Sequence, residues 1–165
     1  LGQGDNPDST RFLALLLITR PSSRVRLKRL KLADIMMGNF NDPATITTAQ
    51  ALSQAYLAGR RNFEGIILSS ATLSGLDLKG ADLSYADFSE SDLAQTNLRG
   101  ADLSYADLRN ANLTQADLRG ASLIGTDLRG AILAETNLQD ADYDPEETHF
   151  PRPFDPQSAA MRSDR

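Results

Sequence analysis

The chain has 165 residues, of which 22 are acidic and 17 basic, so its formal net charge is −5 at neutral pH. This length predicts one folded domain with tails. The chain has no cysteine, which excludes a disulfide framework, a thiol nucleophile and a cysteine-based metal site. Its longest apolar run, Phe12–Ile18, is far shorter than the roughly 20 residues that a bilayer-spanning helix needs.

Residues 1–42 are interpreted as an N-terminal arm. The first ten residues are polar and rich in turn formers, so we expect them to be disordered. Six basic residues with no acid among them lie within Arg20–Lys31. This stretch is either a solvated face of a short helix or strand, or a basic arm that contacts anionic lipid, nucleic acid or an acidic partner. It lacks the interleaved aromatic residues that nucleic-acid binding favours, so peripheral membrane contact is the main alternative.

Residues 43–60 are predicted to form a helix that caps the N-terminal end of the repeats that follow. Thr47 and Gln50 have the spacing of a capping box, and Gly59 marks the stop. An open end of a repeat column exposes apolar side chains and unpaired backbone groups, so a cap is needed there. The apolar stripe of this helix consists of Ala49, Leu52, Ala55 and Tyr56.

A five-residue repeat runs without interruption through residues 61–145. Its seventeen pentads have Leu at the centre in fourteen cases, Phe in two and Tyr in one. Two residues before the centre the side chain is Ala, Ser or Thr in fourteen pentads, and the residue between is Asp or Asn in thirteen. The predicted structural core is formed by the central residues Phe63, Leu68, Leu73, Leu78, Leu83, Phe88, Leu93, Leu98, Leu103, Leu108, Leu113, Leu118, Leu123, Leu128, Leu133, Leu138 and Tyr143.

A period of five predicts short strands rather than a helix. Five residues turn an α-helix about 140° beyond a full circle, so the leucines would build no apolar stripe. In a strand, positions two apart point the same way, so the small residue and the Leu face inward and the polar residue between them faces out. The repeat matches itself best at a shift of 20 residues, where Gly80–Asp87 recurs unchanged at Gly100–Asp107. Four pentads per coil predict an all-β solenoid of about four coils with a square cross-section.

The run of residues 101–120, Ala-Asp-Leu-Ser-Tyr, Ala-Asp-Leu-Arg-Asn, Ala-Asn-Leu-Thr-Gln and Ala-Asp-Leu-Arg-Gly, resembles the pentapeptide-repeat proteins. The resemblance implies a right-handed quadrilateral β-helix. Members of this family include DNA-mimicking protectors of gyrase, regulators of cell differentiation, and many proteins, abundant in cyanobacteria, with no assigned activity. The resemblance is therefore specific for the fold and poor for the function.

Residues 146–165 are predicted to form a short C-terminal cap. Four prolines in and just before this segment are expected to stop the ladder of paired strands. Phe150 and Phe154 are expected to lie over the last coil. We predict a short helix over Asp155–Met161 and fraying of residues 162–165.

Outward side chains are expected to stack every 20 residues, and several of them interrupt the polar pattern. Tyr85 and Tyr105 should stack one coil apart at the same corner, where they either stabilise the column alone or also anchor a partner. Ile124 and Ile132 are predicted to form an apolar patch that favours docking, or a homodimer through the C-terminal end. Together with two residues of a basic ladder, the candidate partner surface comprises Tyr85, Tyr105, Ile124, Ile132, Arg99 and Arg119.

The leading functional prediction is a non-catalytic module that binds another protein or acts as a scaffold, because a leucine-filled interior leaves no room for a ligand. The alternatives are a DNA-mimicking regulator of an enzyme such as gyrase, and a membrane-peripheral structural protein that uses Arg20–Lys31. We predict no catalytic residue, cofactor or metal, since His149 has no second histidine and no cysteine near it. The expected location is cytoplasmic, or thylakoid-associated or luminal if a leader has been removed.

Overall fold

A computed structural model describes residues 46–163 of the chain. The predictions for the N-terminal arm, including contact through Arg20–Lys31, and for residues 43–45 and 164–165 lie outside the described residues. None of the helical structure within residues 46–163 has the length and hydrophobicity of a membrane-spanning segment.

Helix α1, Ala49–Leu57, is the first element of the described chain. Its N-cap is Thr48, whose Oγ1 accepts a hydrogen bond from the Ala51 N–H at 3.1 Å. The predicted capping box at Thr47 was therefore wrong by one residue. The residue three positions after Thr48 is Ala51, which has no side-chain acceptor to return the hydrogen bond. The buried residues of α1 are Leu52, Ala55 and Tyr56.

The residues of this cap also satisfy backbone groups at the open end of the first coil. The Tyr56 hydroxyl donates to the Lys79 carbonyl at 2.8 Å, and Arg60 Nε donates to the Asn62 carbonyl at 2.6 Å. The equivalent carbonyls of the second coil accept N–H groups from the first coil. Within the described part of the chain no coil precedes the first one to supply those donors, so side chains of the cap replace them.

Replacing Tyr56 by Phe removes one of these donors and keeps the ring. We expect the free energy of unfolding to fall by about 0.5–1.5 kcal/mol, measured by urea denaturation. Tyr85→Phe is the matched control, because the Tyr85 hydroxyl has no hydrogen-bond partner within residues 46–163. Equal denaturation midpoints for the two variants would show that the hydroxyl of Tyr56 does not contribute to the cap.

Residues 61–143 form a right-handed quadrilateral β-helix with four faces in each coil. From Asn62 to Ser122, each outward residue makes a parallel bridge to the residue 20 positions later. These bridges form four ladders, which we number by their first residues: face 1 from Asn62, face 2 from Ile67, face 3 from Thr72 and face 4 from Asp77. The predicted fold is confirmed.

The faces are joined by two-residue corners. From residue 65 to residue 140, the second residue of each two-residue corner has a φ between 55° and 75°. The N–H after the corner donates back to the central residue before it, as from Ala106 to the Leu103 carbonyl at 3.0 Å. A positive φ at the third residue of such a turn is the requirement of type II turns. The corners therefore hold their side chains in fixed directions along the edges of the column.

The interior of the column is filled by the central residues of the pentads. Sixteen of the seventeen are buried, and Leu133 is partly buried. Where an inward small residue is Thr it bonds to backbone, as Thr126 Oγ1 does to the Leu103 carbonyl at 2.8 Å. Every buried side-chain N or O atom within residues 46–163 has a hydrogen-bond partner. The described interior therefore offers no unpaired polar group to a ligand.

The ladder continues beyond the repeats, which contradicts the prediction that the prolines stop it. The His149 N–H donates to the Thr126 carbonyl at 3.0 Å. Strand β1, Asp142–Tyr143, then pairs in parallel with strand β2, Arg162–Ser163. The prolines lie between these bonded positions, where the ladder requires no N–H. An enlarged turn before His149 is offset by a shorter segment after it, so the 20-residue register is restored at β2.

Two phenylalanines lie in this last, incomplete coil. Phe150 stacks on Phe154 at 5.0 Å between ring centroids and meets Tyr143 edge-on at 5.6 Å. The short helix predicted for Asp155–Met161 was wrong, because these residues form turns. Ala160 has a φ of 55°, which ends any helical path, and Arg162 and Ser163 then pair as β2 rather than fray.

Candidate functional site

Two exposed tyrosines lie one above the other at the corner between face 1 and face 2. Tyr85 and Tyr105, here called the tyrosine edge, are 59% and 48% exposed. Their ring centroids are 5.3 Å apart and the ring planes differ by 11°. The predicted stack is therefore present. Both residues have a φ close to 57°, a conformation that non-glycine residues rarely adopt. The turn, rather than burial, directs these rings outward.

The C-terminal side of the tyrosine edge is covered. A Cβ atom at Gly125 would lie 2.5 Å from Tyr105 Cδ1 and Cε1, so only glycine leaves room for the ring. The Tyr105 hydroxyl donates to Glu147 Oε2 at 3.1 Å. This hydrogen bond and the charge of Glu147 raise the pKa of Tyr105. The enlarged turn of the last coil thus holds one end of the stack in place.

The N-terminal side of the tyrosine edge is open. Gly65 lies at the same corner one coil before Tyr85, and no atom of residues 46–163 beyond its two chain neighbours lies within 4 Å of the position of its missing Cβ. Glu64 and Ile67 flank it, and the Ile67 side chain is 67% exposed. None of these three residues was predicted as a site residue. The available signal was a glycine exactly one coil period away from an exposed tyrosine.

Charges on the walls beside the tyrosine edge are distributed unevenly. In the later coils three arginines bind the aspartate two residues before them, and the pairs are Asp107–Arg109, Asp117–Arg119 and Asp127–Arg129. Hydrogen bonds from these guanidinium groups lower the pKa of each aspartate. Near Tyr85, by contrast, Asp82 and Asp87 have no ion-pair partner within residues 46–163.

The three Asp–Arg pairs predict a pH-dependent contribution to stability. Because the pKa of each aspartate is lower in the folded state, this contribution is present above the unfolded pKa of about 3.9. This contribution is lost as the pH falls through the folded-state pKa values of the three aspartates. The triple variant Arg109→Gln, Arg119→Gln, Arg129→Gln should have a lower melting temperature than the parent at neutral pH. This difference in melting temperature should disappear in acid, where the aspartates are protonated.

Circular dichroism melts of the parent and the triple variant, recorded from neutral pH into acid, check the prediction. Arg152→Gln is the control for removal of a positive charge, since Arg152 makes no ion pair within residues 46–163. A difference in melting temperature that does not change with pH would contradict the role of the pairs.

The residues predicted as a partner surface do not form one patch. Ile124 lies at the corner of the tyrosine edge and is half-buried. Ile132 lies outward on face 3 and is 53% exposed. Asp127, on face 2, lies between them along the coil. The predicted apolar patch of Ile124 and Ile132 is therefore wrong, because the two residues project from different sides of the column.

Arg99 and Arg119 lie at a third place, the corner that follows face 4. They line an open depression of about 290 Å³. Arg119 is already bound to Asp117, and the carboxylate of Asp140 also lines the depression. Much of the positive charge there is balanced, so the depression is poorly suited to binding an anion.

No group of histidine and acidic side chains within residues 46–163 could hold a metal ion. His149 is exposed and forms the ladder bridge with Asp127 on face 2. Its position is explained by the ladder, in which its N–H donates to the Thr126 carbonyl and its carbonyl accepts from the Leu128 N–H.

Comparison with known proteins identifies a matching family and several similar solved structures. Residues 62–84, 81–120 and 111–142 match the family model for pentapeptide repeats, with eight copies. The crystal structure of alr5209, a pentapeptide repeat protein from Nostoc PCC 7120, is 48% identical; the match covers 72% of this chain and 98% of that chain, with a TM-score of 0.70.

Two further solved structures are less similar. HetL from the cyanobacterium Nostoc PCC 7120, described as involved in heterocyst differentiation regulation, is 42% identical over 58% of this chain and 43% of its own, with a TM-score of 0.32. QnrB1, a plasmid-mediated fluoroquinolone resistance protein, is 17% identical over 64% of this chain and 57% of its own, with a TM-score of 0.45. No curated protein matches the chain.

Proposed function

The chain belongs to the pentapeptide-repeat family, and from this premise we propose that it is a non-catalytic protein-binding module that presents its tyrosine edge to a partner. The exposure of Tyr85 and Tyr105 carries the proposal. Tyrosine offers a large contact area with only two side-chain torsions to immobilise, and it is enriched among the residues that dominate binding energy.

The backbone of the tyrosine edge supports this role. The Tyr85 N–H donates to the Ser104 carbonyl at 2.9 Å, and the Tyr105 N–H donates to the Ile124 carbonyl at 2.8 Å. Both corners are therefore bound into the ladder before any partner arrives. A preorganised surface loses less conformational freedom on binding, which favours affinity.

The non-catalytic part of the proposal rests on the filled interior and the regular walls. Ligand pockets are concave and combine apolar walls with a few converging polar groups. In the described column the carboxylates instead repeat at 20-residue intervals on flat faces. This arrangement suits recognition by surface contact.

Imitation of DNA is less well supported by the charges. Residues 61–143 contain thirteen acids and six bases. In the later coils Arg109, Arg119 and Arg129 lie directly on acidic side chains. Opposite charges this close cancel much of the distant field, so faces 2 and 4 do not present a continuous row of negative charge.

Affinity capture with the full-length protein tests the proposal. Three proteins are immobilised: the parent, the double variant Tyr85→Ser, Tyr105→Ser, and the double variant Gln95→Ser, Gln115→Ser. The glutamines occupy the same second corner position, one coil apart, on another edge of the column. They therefore control for the loss of a stacked corner pair.

We expect the parent and the glutamine variant to retain the same protein from an extract of the source cells, and the tyrosine variant to retain much less of it. Circular dichroism establishes that all three proteins are folded. Equal retention by the three immobilised proteins would rule out the tyrosine edge as the contact surface. If the folded parent retained no protein at all, this would count against a binding module.

A second copy of the chain is a second candidate partner, through the C-terminal end of face 3. Within residues 46–163, the N–H groups of Leu133 and Glu135 have no hydrogen-bond partner, although the equivalent groups one coil earlier are paired. Exposed Ile132 lies beside them. Unpaired strand edges next to apolar side chains favour association.

The unpaired strand edge at the C-terminal end of face 3 predicts that a charge placed beside it will weaken self-association. Ile132→Lys should shift any dimer of the parent to monomer in sedimentation velocity experiments. Ile67→Lys, an exposed isoleucine at the other end of the column, should leave the dimer unchanged. Dissociation by Ile67→Lys alone would place the interface elsewhere.

A further inference from the structure

We propose that the tyrosine edge recognises an arginine side chain of the partner, and that the guanidinium group binds in the open slot formed by Tyr85, Glu64, Gly65 and Ile67. This inference rests on the proposed function and names the chemistry that its contact surface would select.

The order along this corner leaves one aromatic face uncovered. The Tyr105 ring extends over Gly125, towards the later coils. The Tyr85 ring is parallel to it at 5.3 Å and lies on the side of the earlier coils. One face of the Tyr85 ring is therefore covered by Tyr105. The opposite face points towards the coil of Gly65. This glycine has no side chain, and no atom of the described residues 46–163 beyond its two chain neighbours lies within 4 Å of its Cβ position.

The dimensions of this slot suit a planar group. Neighbouring strands of a β-structure are spaced by about 4.8 Å, and the two tyrosine rings follow that spacing. A third planar group inserted beside Tyr85 would continue the stack by one coil. Gly65 provides the room because it lacks the side chain that would otherwise occupy this position.

The slot is surrounded by acidic side chains. Glu64 is exposed and directly precedes Gly65, while Asp82 and Asp87 flank Tyr85 on faces 1 and 2. None of the three carboxylates makes an ion pair within residues 46–163. A cation bound here would meet three carboxylates that are not neutralised by a direct ion pair within residues 46–163, although Arg109 interacts with Asp87 at longer range.

Planarity and charge together favour arginine. The guanidinium group is planar, stacks on aromatic faces and binds carboxylates through two parallel hydrogen bonds. A lysine ammonium group has the charge without the plane, and a neutral aromatic ring has the plane without the charge. Ile67, which is 67% exposed beside the slot, would pack on the aliphatic part of the arginine side chain.

An NMR titration of the isotope-labelled full-length protein tests the assignment. The probes are N-acetyl-arginine amide, its neutral isostere N-acetyl-citrulline amide, N-acetyl-lysine amide and N-acetyl-phenylalanine amide. We expect the arginine probe to shift the Gly65 amide and Tyr85 ring signals several-fold more than citrulline at equal concentration. Lysine should give an intermediate shift.

Three variants separate the slot from the rest of the surface. Glu64→Gln should reduce the arginine shift to the level of citrulline. Glu90→Gln, which removes an exposed acid at another corner, should leave it unchanged. Gly65→Tyr should fill the slot with a ring of the chain itself and abolish the shift. If Gly65→Tyr does not fold, the comparison of the two glutamine variants decides the question.

The arginine assignment is overturned by equal shifts from arginine and citrulline, by a larger shift from the phenylalanine probe, or by an arginine shift that Glu64→Gln leaves intact. Its failure is distinguishable from that of the proposed function. Capture that depends on Tyr85 and Tyr105 without arginine selectivity would leave a binding module with another ligand. An arginine-selective slot without tyrosine-dependent capture would refute the protein contact instead.

Discussion

The variant Leu103→Asp is expected to lose its cooperative melt or to melt about 15–30 °C below the parent. Leu103 is fully buried in the middle of the column. Loss of the leucine side chain alone costs about 2–5 kcal/mol. The carboxylate adds the cost of burying a charge without a partner, or of shifting its pKa upward until it binds a proton. Together these costs are comparable with the total stability of a typical domain, about 5–15 kcal/mol.

Two further variants separate the causes of this loss. Leu103→Ala creates the cavity without the charge and should lie between the parent and Leu103→Asp. Asn62→Asp adds a carboxylate at an exposed outward position, where the Glu64 N–H already donates to the side-chain oxygen at 3.3 Å. It should melt close to the parent. Thermal denaturation of the four proteins tests the inward direction of the leucine series, which would be wrong if Leu103→Asp and Asn62→Asp behaved alike.

The column was predictable because each pentad obeys the same local rule. An inward small residue, an outward polar residue and an inward leucine are the consequence of strand alternation, and the corner supplies the turn. Residues such as Ala101 and Leu103 are accordingly buried on both sides of exposed Asp102. Once the 20-residue superperiod is recognised, the stacking of Tyr85 on Tyr105 also follows from the sequence.

The two ends of the column were less predictable because their residues do not follow the five-residue repeat. The prolines of the C-terminal segment indicated an end of pairing, yet His149 and Arg162 both donate their N–H groups to the ladder. Sequence alone does not show that an enlarged turn and a shortened segment restore the register. The hydrogen bond from Tyr105 to Glu147 crosses that same turn, so it was equally hidden.

The candidate site was predicted only in part for a related reason. Exposed aromatic residues stand out in a polar repeat, so the tyrosines were selected. The open side of the stack is defined by an absent side chain at Gly65, and a corner glycine has another explanation in its positive φ of 67°. That no atom of residues 46–163 beyond its two chain neighbours lies within 4 Å of the Cβ position of Gly65 follows from the folded structure and not from the sequence.

The variant Phe88→Ala is expected to lower the free energy of unfolding by about 3–5 kcal/mol. Phe88 is fully buried, and its N–H donates to the Asp107 carbonyl at 2.8 Å. Alanine keeps this backbone bond but leaves an empty space where the ring was. Because the coils above and below are joined by continuous ladders, the walls cannot collapse into that space without breaking hydrogen bonds. The full cost of the cavity should therefore appear in the denaturation midpoint.

Phe88→Leu is the matched control, since leucine occupies the central position in fourteen of the seventeen pentads. It removes less volume, keeps a side chain that the repeat already accommodates, and should cost less than about 1.5 kcal/mol. Urea denaturation of both variants measures the difference. A midpoint for Phe88→Ala equal to that of Phe88→Leu would mean that the walls do relax, and that a column held by ladders on four sides is softer than its hydrogen bonding implies.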